Sequence, residues 1–515
     1  MKRVLKAVII TVIVLTAATV GMICLFRRNQ SSDTLSLNVQ NEQSDQNDKN
    51  SYTREMQQTA VPLVLNGDQK NVLNFDTDPV YDVARSKEAR DRLDRVIKKT
   101  DATPEHPIIA ADPFGTNRNS FYFYFITPSA SMVRYRICVE DDSMADFVRY
   151  VDCGEKGNVS KIHEFMVLGL VPGCTNYIQI ELLNKKGELT DKYRYSYDVP
   201  ALADGEGMPV SVKQNAGKSK EQAENGIYCL LPSAAKNIYL YDNRGVLRGV
   251  IDTEGQHGQR FYEDTDQLFY MVSDTKVAKI SDLGQVLGVA QMKGYSKILD
   301  FCYDGYDNVY CLTREKGRNV LVSVSFSTGK TKKVFDFTKG VKVSSISNAS
   351  GGGIYAACEK PAGLMRIDAL TSQKALVRYI LGTKKAWKKT SWKKKVSADD
   401  VVKRWDFTDT ILHFDEEATN QLSAYVHDLN KGTGVRFSVS DTDKKASQLQ
   451  NLPVGNTDKS DAFTYGGHMI ITNLAKGQYA EYDAKGRAVT EFSFEESLQA
   501  VCKLKFENIY FWDGR

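Results

Sequence analysis

Histidine is the first side chain to consider, because a neutral imidazole can act as a general base or as a nucleophile. The 515-residue chain has six histidines, at His106, His163, His257, His413, His427 and His468. A single histidine within a strand is more often a packed or surface residue than a nucleophile. Neither a GxSxG nor an HExxH motif occurs, which disfavours a protease or glycosidase. Because acidic residues are numerous, the sequence does not exclude a catalytic pair of carboxylates.

A basic and aromatic segment is the second chemical feature. Two tryptophans, Trp387 and Trp392, stand among the lysines Lys384, Lys385, Lys388, Lys389, Lys393, Lys394 and Lys395. Charge combined with aromatic stacking suits an anionic partner such as a sulfated or phosphorylated glycan, a teichoic acid or an anionic lipid head group. The alternative is a solvated basic loop whose tryptophans pack on the folded domain.

The cysteines indicate neither a metal site nor a disulfide scaffold. There are nine, at Cys24, Cys138, Cys153, Cys174, Cys229, Cys302, Cys311, Cys358 and Cys502. None forms a CxxC pair, and no cysteine–histidine cluster has the spacing of zinc ligands. The scattered positions favour buried free thiols, which are typical of a compartment that is not strongly oxidising. We therefore expect no metal and no cofactor.

Length and charge set the outer limits. A chain of 515 residues exceeds the usual size of a single core, so at least two domains are expected. The formal net charge of +4 gives no indication of a nucleic-acid partner. With 26 tyrosines, 22 phenylalanines and only 12 prolines, the composition favours β-structure.

The N-terminus predicts a membrane anchor. Residues 7–26 are apolar or small, with Lys2, Arg3 and Lys6 before them and Arg27 and Arg28 after them. About twenty such residues suffice for a spanning helix, whereas the apolar core of a cleaved signal peptide is usually about 7 to 15 residues long. We expect residues 1–28 to be an uncleaved single-pass transmembrane signal anchor at the cell membrane, with the bulk of the chain extracytoplasmic.

Residues 29–75 are rich in Asn, Gln, Ser and Asp, which predicts a disordered stalk. Residues 76–102 form a helical segment in this prediction, because apolar residues recur among charges between Tyr81 and Lys99.

Two β-domains are predicted after the helix. Residues 103–204 contain alternating segments at 120–127, 132–140, 161–168, 176–184 and 193–199, which is typical of a β-sandwich. Residues 226–515 repeat a strand–turn–strand unit whose turn positions recur roughly every 40 to 60 residues. These turn positions are Gly245, Gly284, Gly329, Ser372, Gly432 and Gly486. Six four-stranded units predict a six-bladed β-propeller.

Two stretches carry a family resemblance. Asp112-Pro113-Phe114-Gly115-Thr116-Asn117 opens the sandwich, and Leu168-Gly169-Leu170-Val171-Pro172-Gly173-Cys174-Thr175-Asn176 lies within it. Together they resemble the N-terminal domain of bacterial arylsulfate sulfotransferases. The resemblance implies an all-β protein, with a fibronectin-like sandwich before a six-bladed propeller. It also implies transfer of a sulfuryl group between phenols, without a nucleotide donor, through a histidine in the propeller channel.

The residues that the resemblance requires for that chemistry are not matched. Its His-His-Asp signature meets Ile298-Leu299-Asp300, so that only the aspartate is kept. A second histidine position of the family aligns with Lys342, and the family's nearby arginine aligns with Glu359. A third histidine position aligns near Val401. We therefore assign no catalytic residue. The candidates for anion binding are Lys342, Lys384, Lys385, Trp387, Lys388, Lys389, Trp392 and Lys393.

Two functions remain open at this stage. One is a catalytically degenerate, arylsulfotransferase-like surface protein that binds an anionic glycan, an aryl sulfate, a lipid head group or another protein. The alternative is an active aryl-sulfate sulfotransferase that uses other residues.

Overall fold

The protein is described from a computed structural model, which covers residues 46–505 with internal gaps. The gaps are residues 66–70, 142, 152–158, 205, 208, 215, 218, 235, 256–259, 265–266, 350–351, 361, 369–375, 383–409, 419–420, 429–432, 441–444 and 453–459. The predicted anchor, residues 1–28, lies outside the described part. Within that part, no helix is both long enough and apolar enough to span a bilayer.

Part of the predicted stalk is ordered, which corrects the prediction of disorder for residues 29–75. It contains helix α1 (Gln46–Thr59) and the short strands β1 (Val61–Pro62) and β2 (Val72–Leu73). β1 pairs in parallel with a later strand, and Leu63 next to it is buried. The polar composition of the segment did not predict these elements, because a few buried apolar residues and main-chain pairing suffice to hold a polar segment in place.

The amphipathic helix is present as α2 (Val83–Ile97). Asp82 caps its N-terminus, because its carboxylate accepts a hydrogen bond from the Arg85 main-chain N–H. Ala89 and Leu93 are buried, one turn apart, on the face that meets the β-domains.

The first β-domain is a sandwich built around one long strand. The long strand is β4 (Ser120–Val139). Besides β1 and β2, the other strands are β3 (Ile108–Ala111), β5 (Phe147–Tyr150), β6 (Ser160–Leu168), β7 (Thr175–Leu183) and β8 (Leu189–Asp198). The first part of β4 pairs with β3 and β6, and its second part pairs with β5 and β7. The ladder with β6 is irregular between Ile126 and Ser131, a stretch that includes Pro128, which has no N–H to donate, and the pairing with β7 begins at Met132.

The second β-domain is a propeller-like series of antiparallel sheets. Its strands before residue 340 are β9 (Val210–Gln214), β10 (Ile227–Pro232), β11 (Ile238–Tyr241), β12 (Leu247–Ile251), β13 (Tyr262–Asp264), β14 (Gln267–Ser273), β15 (Lys276–Ser281), β16 (Val286–Gln291), β17 (Asp300–Tyr303), β18 (Asn308–Glu315), β19 (Arg318–Ser325) and β20 (Thr331–Asp336). The later strands are β21 (Lys342–Ala349), β22 (Gly353–Lys360), β23 (Ala362–Asp368), β24 (Leu376–Gly382), β25 (Thr410–Ala418), β26 (Gln421–Asp428), β27 (Thr433–Ser440), β28 (Lys445–Leu452), β29 (Ser460–Tyr465), β30 (His468–Asn473), β31 (Gln478–Tyr482), β32 (Ala488–Phe494) and β33 (Leu498–Leu504).

The sheets differ from six identical four-stranded units. Five sheets have four strands each, in the orders β12-β11-β10-β33, β13 to β16, β17 to β20, β21 to β24 and β25 to β28. The sheet of β29 to β32 has five strands because β9 joins its edge. The prediction of six four-stranded blades was therefore wrong as stated. Repeats within the hairpins do not reveal a strand that is supplied from outside the repeat.

The series closes on itself through β33, which pairs with β10 in the first sheet. Strand β17 contacts β21, β21 contacts β25, and β25 contacts β29, so the first strands of these sheets lie side by side. This arrangement is typical of strands around a propeller axis.

Both stretches that carry the family resemblance contact the propeller. The Thr116 hydroxyl donates to the Gly284 carbonyl at 2.8 Å, and the Asn117 side chain accepts from the Val250 N–H at 3.3 Å. The Gly169 carbonyl accepts from the Arg248 guanidinium at 3.2 Å. The hydrophobic core of the sandwich also continues into the first two propeller sheets. The two β-domains are therefore packed together through these stretches.

Candidate functional site

The predicted anion-binding residues fall into two groups. Lys342 is exposed at the start of β21, where its cross-strand partner is Lys360. The other seven, Lys384, Lys385, Trp387, Lys388, Lys389, Trp392 and Lys393, lie outside the described residues. The segment that contains them follows Gly382, the last residue of β24. Gly382 pairs with Gly363, three positions from Lys360, so Gly382 lies at the end of the sheet that carries Lys342.

The retained aspartate, Asp300, lies on the first strand of its sheet and is buried. Its Oδ1 is 3.1 Å from the Arg260 Nε, and its Oδ2 accepts the Ile346 N–H at 2.7 Å. The carboxylate therefore joins β17 to β21. Ile298, at a position where the resemblance implies histidine, is buried in an apolar cluster.

The structure brings titratable side chains together elsewhere, where β33 and β10 meet the last sheet. His468 begins β30 and is buried. Its Nδ1 is 2.7 Å from the Glu481 Oε1, and its Nε2 is 3.0 Å from the Glu221 Oε2. Glu481, on β31, is fully buried, whereas the Glu221 side chain is 46% exposed. Both imidazole nitrogens therefore face carboxylates.

A buried lysine completes this cluster. Lys503, on β33, is fully buried, and its Nζ lies 2.7 Å from the Glu481 Oε2 and 3.2 Å from the Tyr228 hydroxyl. The Tyr228 hydroxyl donates to the same Glu481 oxygen at 2.5 Å. The Lys503 ammonium also lies 4.4 Å from the centre of the Tyr228 ring. We call His468, Glu481, Lys503, Tyr228 and Glu221 the closure cluster.

Electrostatics in the closure cluster favour the charged forms of Glu481 and His468. Burial disfavours the Glu481 carboxylate, but Lys503 and Tyr228 outweigh that effect, and the pKa of Glu481 is lowered. Burial likewise disfavours the imidazolium, but hydrogen bonds to Glu481 and Glu221 outweigh it, and the pKa of His468 is raised. Burial lowers the pKa of Lys503, while the Glu481 charge opposes that change.

The chemistry open to this cluster is limited. Because carboxylates lie at hydrogen-bond distance from both of its nitrogens, the His468 imidazole presents no unoccupied nitrogen with which to attack sulfur. The more exposed carboxylate, that of Glu221, would also repel an anionic sulfuryl donor. The arrangement is instead that of a buried ion network that joins β10 and β33 of the first sheet to β30 and β31 of the last.

The remaining histidines are placed as follows. His163 is buried in the sandwich beside Phe125, 3.3 Å from the Thr127 hydroxyl, and burial lowers its pKa to about 4. His106 is exposed in a loop. His413 and His427 lie on β25 and β26, and His257 lies outside the described residues.

Sequence reasoning missed the closure cluster, although two signals were present. Glu481 is an acidic residue inside a predicted propeller strand, shortly before the turn at Gly486. The second signal is Lys503, the one charged residue in a mostly apolar strand. Neither signal identifies its partner, because Lys503 and Tyr228 are brought together only when the ring closes.

Comparison with known proteins identifies the sandwich. Residues 108–200 match the family described as the arylsulfotransferase Ig-like domain. This match relates the chain to the arylsulfotransferases through its first β-domain. No curated protein matches the sequence.

Solved structures give weak overall similarity. A protein of unknown function from Bacteroides caccae is 10% identical, with a TM-score of 0.35, over 55% of this chain and 100% of that chain. A putative 6-phosphogluconolactonase from Bacteroides fragilis is 11% identical, with a TM-score of 0.34, over 73% of this chain and 99% of that chain. These similarities are too low to support an inference about function.

Proposed function

We propose, from the relation of residues 108–200 to the arylsulfotransferase Ig-like domain, that this chain is a catalytically degenerate arylsulfotransferase-like protein. In this proposal it binds an anionic ligand or a partner at the cell surface. It does not transfer sulfuryl groups by the histidine mechanism of the family.

The observation that carries this proposal is the state of His468. It is a propeller histidine whose surroundings the structure describes, and carboxylates face both of its nitrogens. Nucleophilic attack on a sulfate ester needs a neutral imidazole and cationic groups around the anionic sulfuryl oxygens. Glu481 and Glu221 instead lie at hydrogen-bond distance from the two nitrogens of His468 and raise its pKa, so neither nitrogen is open to a sulfuryl group.

The Asp300 position supports the same conclusion. A channel nucleophile there would need polar surroundings, whereas Ile298 is part of the apolar core and Asp300 is engaged by Arg260 and Ile346. Glu359, which replaces the arginine that the resemblance implies, is exposed and contributes negative charge.

The finer architecture is part of the proposal. The five-stranded sheet of β29 to β32 with β9 serves as a sixth blade beside the five four-stranded sheets. Residues 1–28 anchor the chain in the membrane, and the β-domains lie on the extracytoplasmic side. The apolar run of the N-terminus supports this topology.

The ligand is expected to be an anion, such as a sulfated glycan, an aryl sulfate or a lipid head group. Support comes from Lys342 and Lys360, which are direct cross-strand partners at one end of their sheet. Like charges in this position repel each other, so a bound anion would relieve their repulsion.

The test of degeneracy is a transfer assay with the full chain in detergent, using 4-nitrophenyl sulfate as donor and phenol as acceptor. We expect no release of nitrophenol above that of a heat-denatured sample. Turnover that persists in a His468→Gln variant but disappears in a His413→Gln variant would establish the active alternative and overturn the proposal.

The test of binding is retention of the full chain on immobilised heparin, a sulfated glycan, over a salt gradient. Lys342→Glu should elute at lower salt than the parent chain, because a favourable charge contact becomes repulsive. Lys330→Glu is the matched control, since it changes by the same charge an exposed lysine in the turn between β19 and β20 of another sheet. Equal shifts for the two variants would argue against a site at Lys342.

A further inference from the structure

Two cysteines face each other at the strand pair that closes the propeller. Cys229 lies on β10 and Cys502 on β33, and the antiparallel register places them directly opposite. Among the described cysteines no other such pair occurs, because Cys302 faces Tyr310, Cys311 faces Phe301 and Cys358 faces Val343. The seven described cysteines are thiols in this structure.

The register alone gives a spacing suited to a disulfide. Directly opposite residues of an antiparallel pair have Cα atoms about 4.5 or 5.5 Å apart, depending on which of the two pair types they occupy. Disulfides span Cα separations of about 4.4 to 6.8 Å, so both pair types fall within the range. Opposite residues also project to the same face of a sheet. Cys229 is in the hydrophobic core here, and Cys502 packs against that core.

A cross-link between Cys229 and Cys502 would join the two strands that close the propeller ring. Strand β33 completes the first sheet from the far end of the propeller sequence, so its pairing with β10 holds the ring closed. The chain between the two cysteines includes all five other sheets apart from β9. We propose that Cys229 and Cys502 form a disulfide that closes the propeller ring covalently.

The chemistry requires an external disulfide, supplied by a thiol–disulfide oxidoreductase or by a small oxidised thiol. One cysteine thiolate attacks that disulfide, forms a mixed disulfide and releases one thiol. The second cysteine thiolate then attacks the sulfur of the first cysteine, forms the Cys229–Cys502 bond and releases a second thiol. Two protein thiols are oxidised, one external disulfide is reduced, and the two protons pass to the released thiolates.

Burial indicates when the bond forms. Cys229 is fully buried and Cys502 is partly exposed. Burial also raises the pKa of the Cys502 thiol to about 12, which leaves little of the reactive thiolate in the folded protein. The exchange therefore takes place while β33 is docking. Once formed, the bond is shielded from reductants by the same burial.

The test uses the full chain, translated in detergent micelles with reduced and oxidised glutathione and a disulfide isomerase, so that folding occurs with an oxidant present. The product is denatured, alkylated without reduction and digested with trypsin. Cys229 and Cys502 then lie in the peptides 221–236 and 488–503, each with a single cysteine. We expect one cross-linked species, two hydrogens lighter than the two peptides together.

Recovery of the two peptides separately, each alkylated, would overturn the proposal. Cys502→Ala should abolish the cross-link and leave Cys229 alkylated, whereas Cys358→Ala, a change at another buried cysteine, should leave the cross-link intact. Reductant during heating should lower the Tm of the parent chain by on the order of 5 °C, but not that of the Cys229→Ala/Cys502→Ala variant. Equal effects of reductant on both proteins would contradict a closing role.

Discussion

Glu481 accepts hydrogen bonds from groups that come from several separate parts of the chain. They are the Lys503 ammonium, the Tyr228 hydroxyl, His468 and the main-chain N–H of Glu224, the last at 2.6 Å. A fully buried carboxylate is tolerated only when its oxygens are satisfied in this way. Replacement of any one partner therefore affects the others, since all of them depend on the same two oxygen atoms.

The ion pair between Lys503 and Glu481 can be tested by Lys503→Met, which keeps the bulk of the side chain and removes its charge. The change leaves a buried carboxylate without its cation, so we expect the free energy of unfolding to fall by about 3 to 5 kcal/mol. Denaturant titration measures it. Lys213→Met is the control, because the Lys213–Glu491 pair is exposed and its loss should be near the error of the measurement.

The pairing of His468 predicts a pH dependence of stability. Because the folded pKa of His468 is raised above 6.5, its contribution is fully present below pH 6.5 and is lost as the pH rises through the folded pKa. The slope that this one proton adds is at most about 1.4 kcal/mol per pH unit.

The measurement compares the free energy of unfolding of the parent chain and His468→Gln over a pH series. The difference between the two curves isolates His468 from Lys503, whose lowered pKa acts in the opposite direction at high pH. The advantage of the parent chain should shrink as the pH rises. Parallel curves would mean that His468 is not protonated in the folded state.

Among the elements, hairpins were predictable and distant pairings were not. Gly245, Gly284, Gly329 and Gly486 all have positive φ, as expected of tight turns. Their signal is local, since the turn and both of its strands are adjacent in sequence. Strands β1, β9 and β33 pair with strands far away in the chain, so nothing in their own sequence reveals the partner.

The Leu168-Gly169-Leu170 stretch can be tested through its glycine. Gly169 has a φ of 101°, and a Cβ there would lie 2.3 Å from two carbons of the Phe147 ring. Gly169→Ala therefore combines backbone strain with a clash, and we expect a loss of about 3 kcal/mol in the free energy of unfolding.

Gly187→Ala is the matched control for this change. Gly187 has a φ of 81°, but a Cβ there would meet nothing within 4 Å. Strain alone should cost about 1 kcal/mol. Equal losses in the two variants would show that the contact with Phe147 is unimportant.

For the whole molecule, the sequence was sufficient for the fold class but not for the site. The Asp112–Asn117 stretch identified the sandwich because its residues are consecutive, and the same residues meet the propeller through Thr116 and Asn117. The closure cluster combines residues from β10, β30, β31 and β33 with Glu221 from the loop before β10, and no spacing rule connects them. The two carboxylates that occupy the nitrogens of His468 are brought to it only by that assembly.

Closure by β33 predicts that the propeller depends on its last described strand. A chain that ends at Ser497 lacks Lys503 and Cys502 and leaves one edge of β10 unpaired. We expect it to lose the cooperative unfolding transition, as followed by tyrosine fluorescence during denaturant titration. A chain that ends at Lys505, which keeps β33, is the control. A cooperative transition in the shorter chain would mean that the ring is stable when open.

Protein synthesis gives the pairing of β10 with β33 a further consequence. The ribosome makes β10 first among the strands of its sheet, yet the strand that covers its inner edge is made after every other sheet. During most of translation that edge presents unpaired main-chain groups, which can pair with another nascent chain. A pause or premature stop just before β33 is therefore more harmful than the small number of missing residues suggests, because it leaves β10 unpaired. A chaperone that shields β10 would be most useful until β33 has been made.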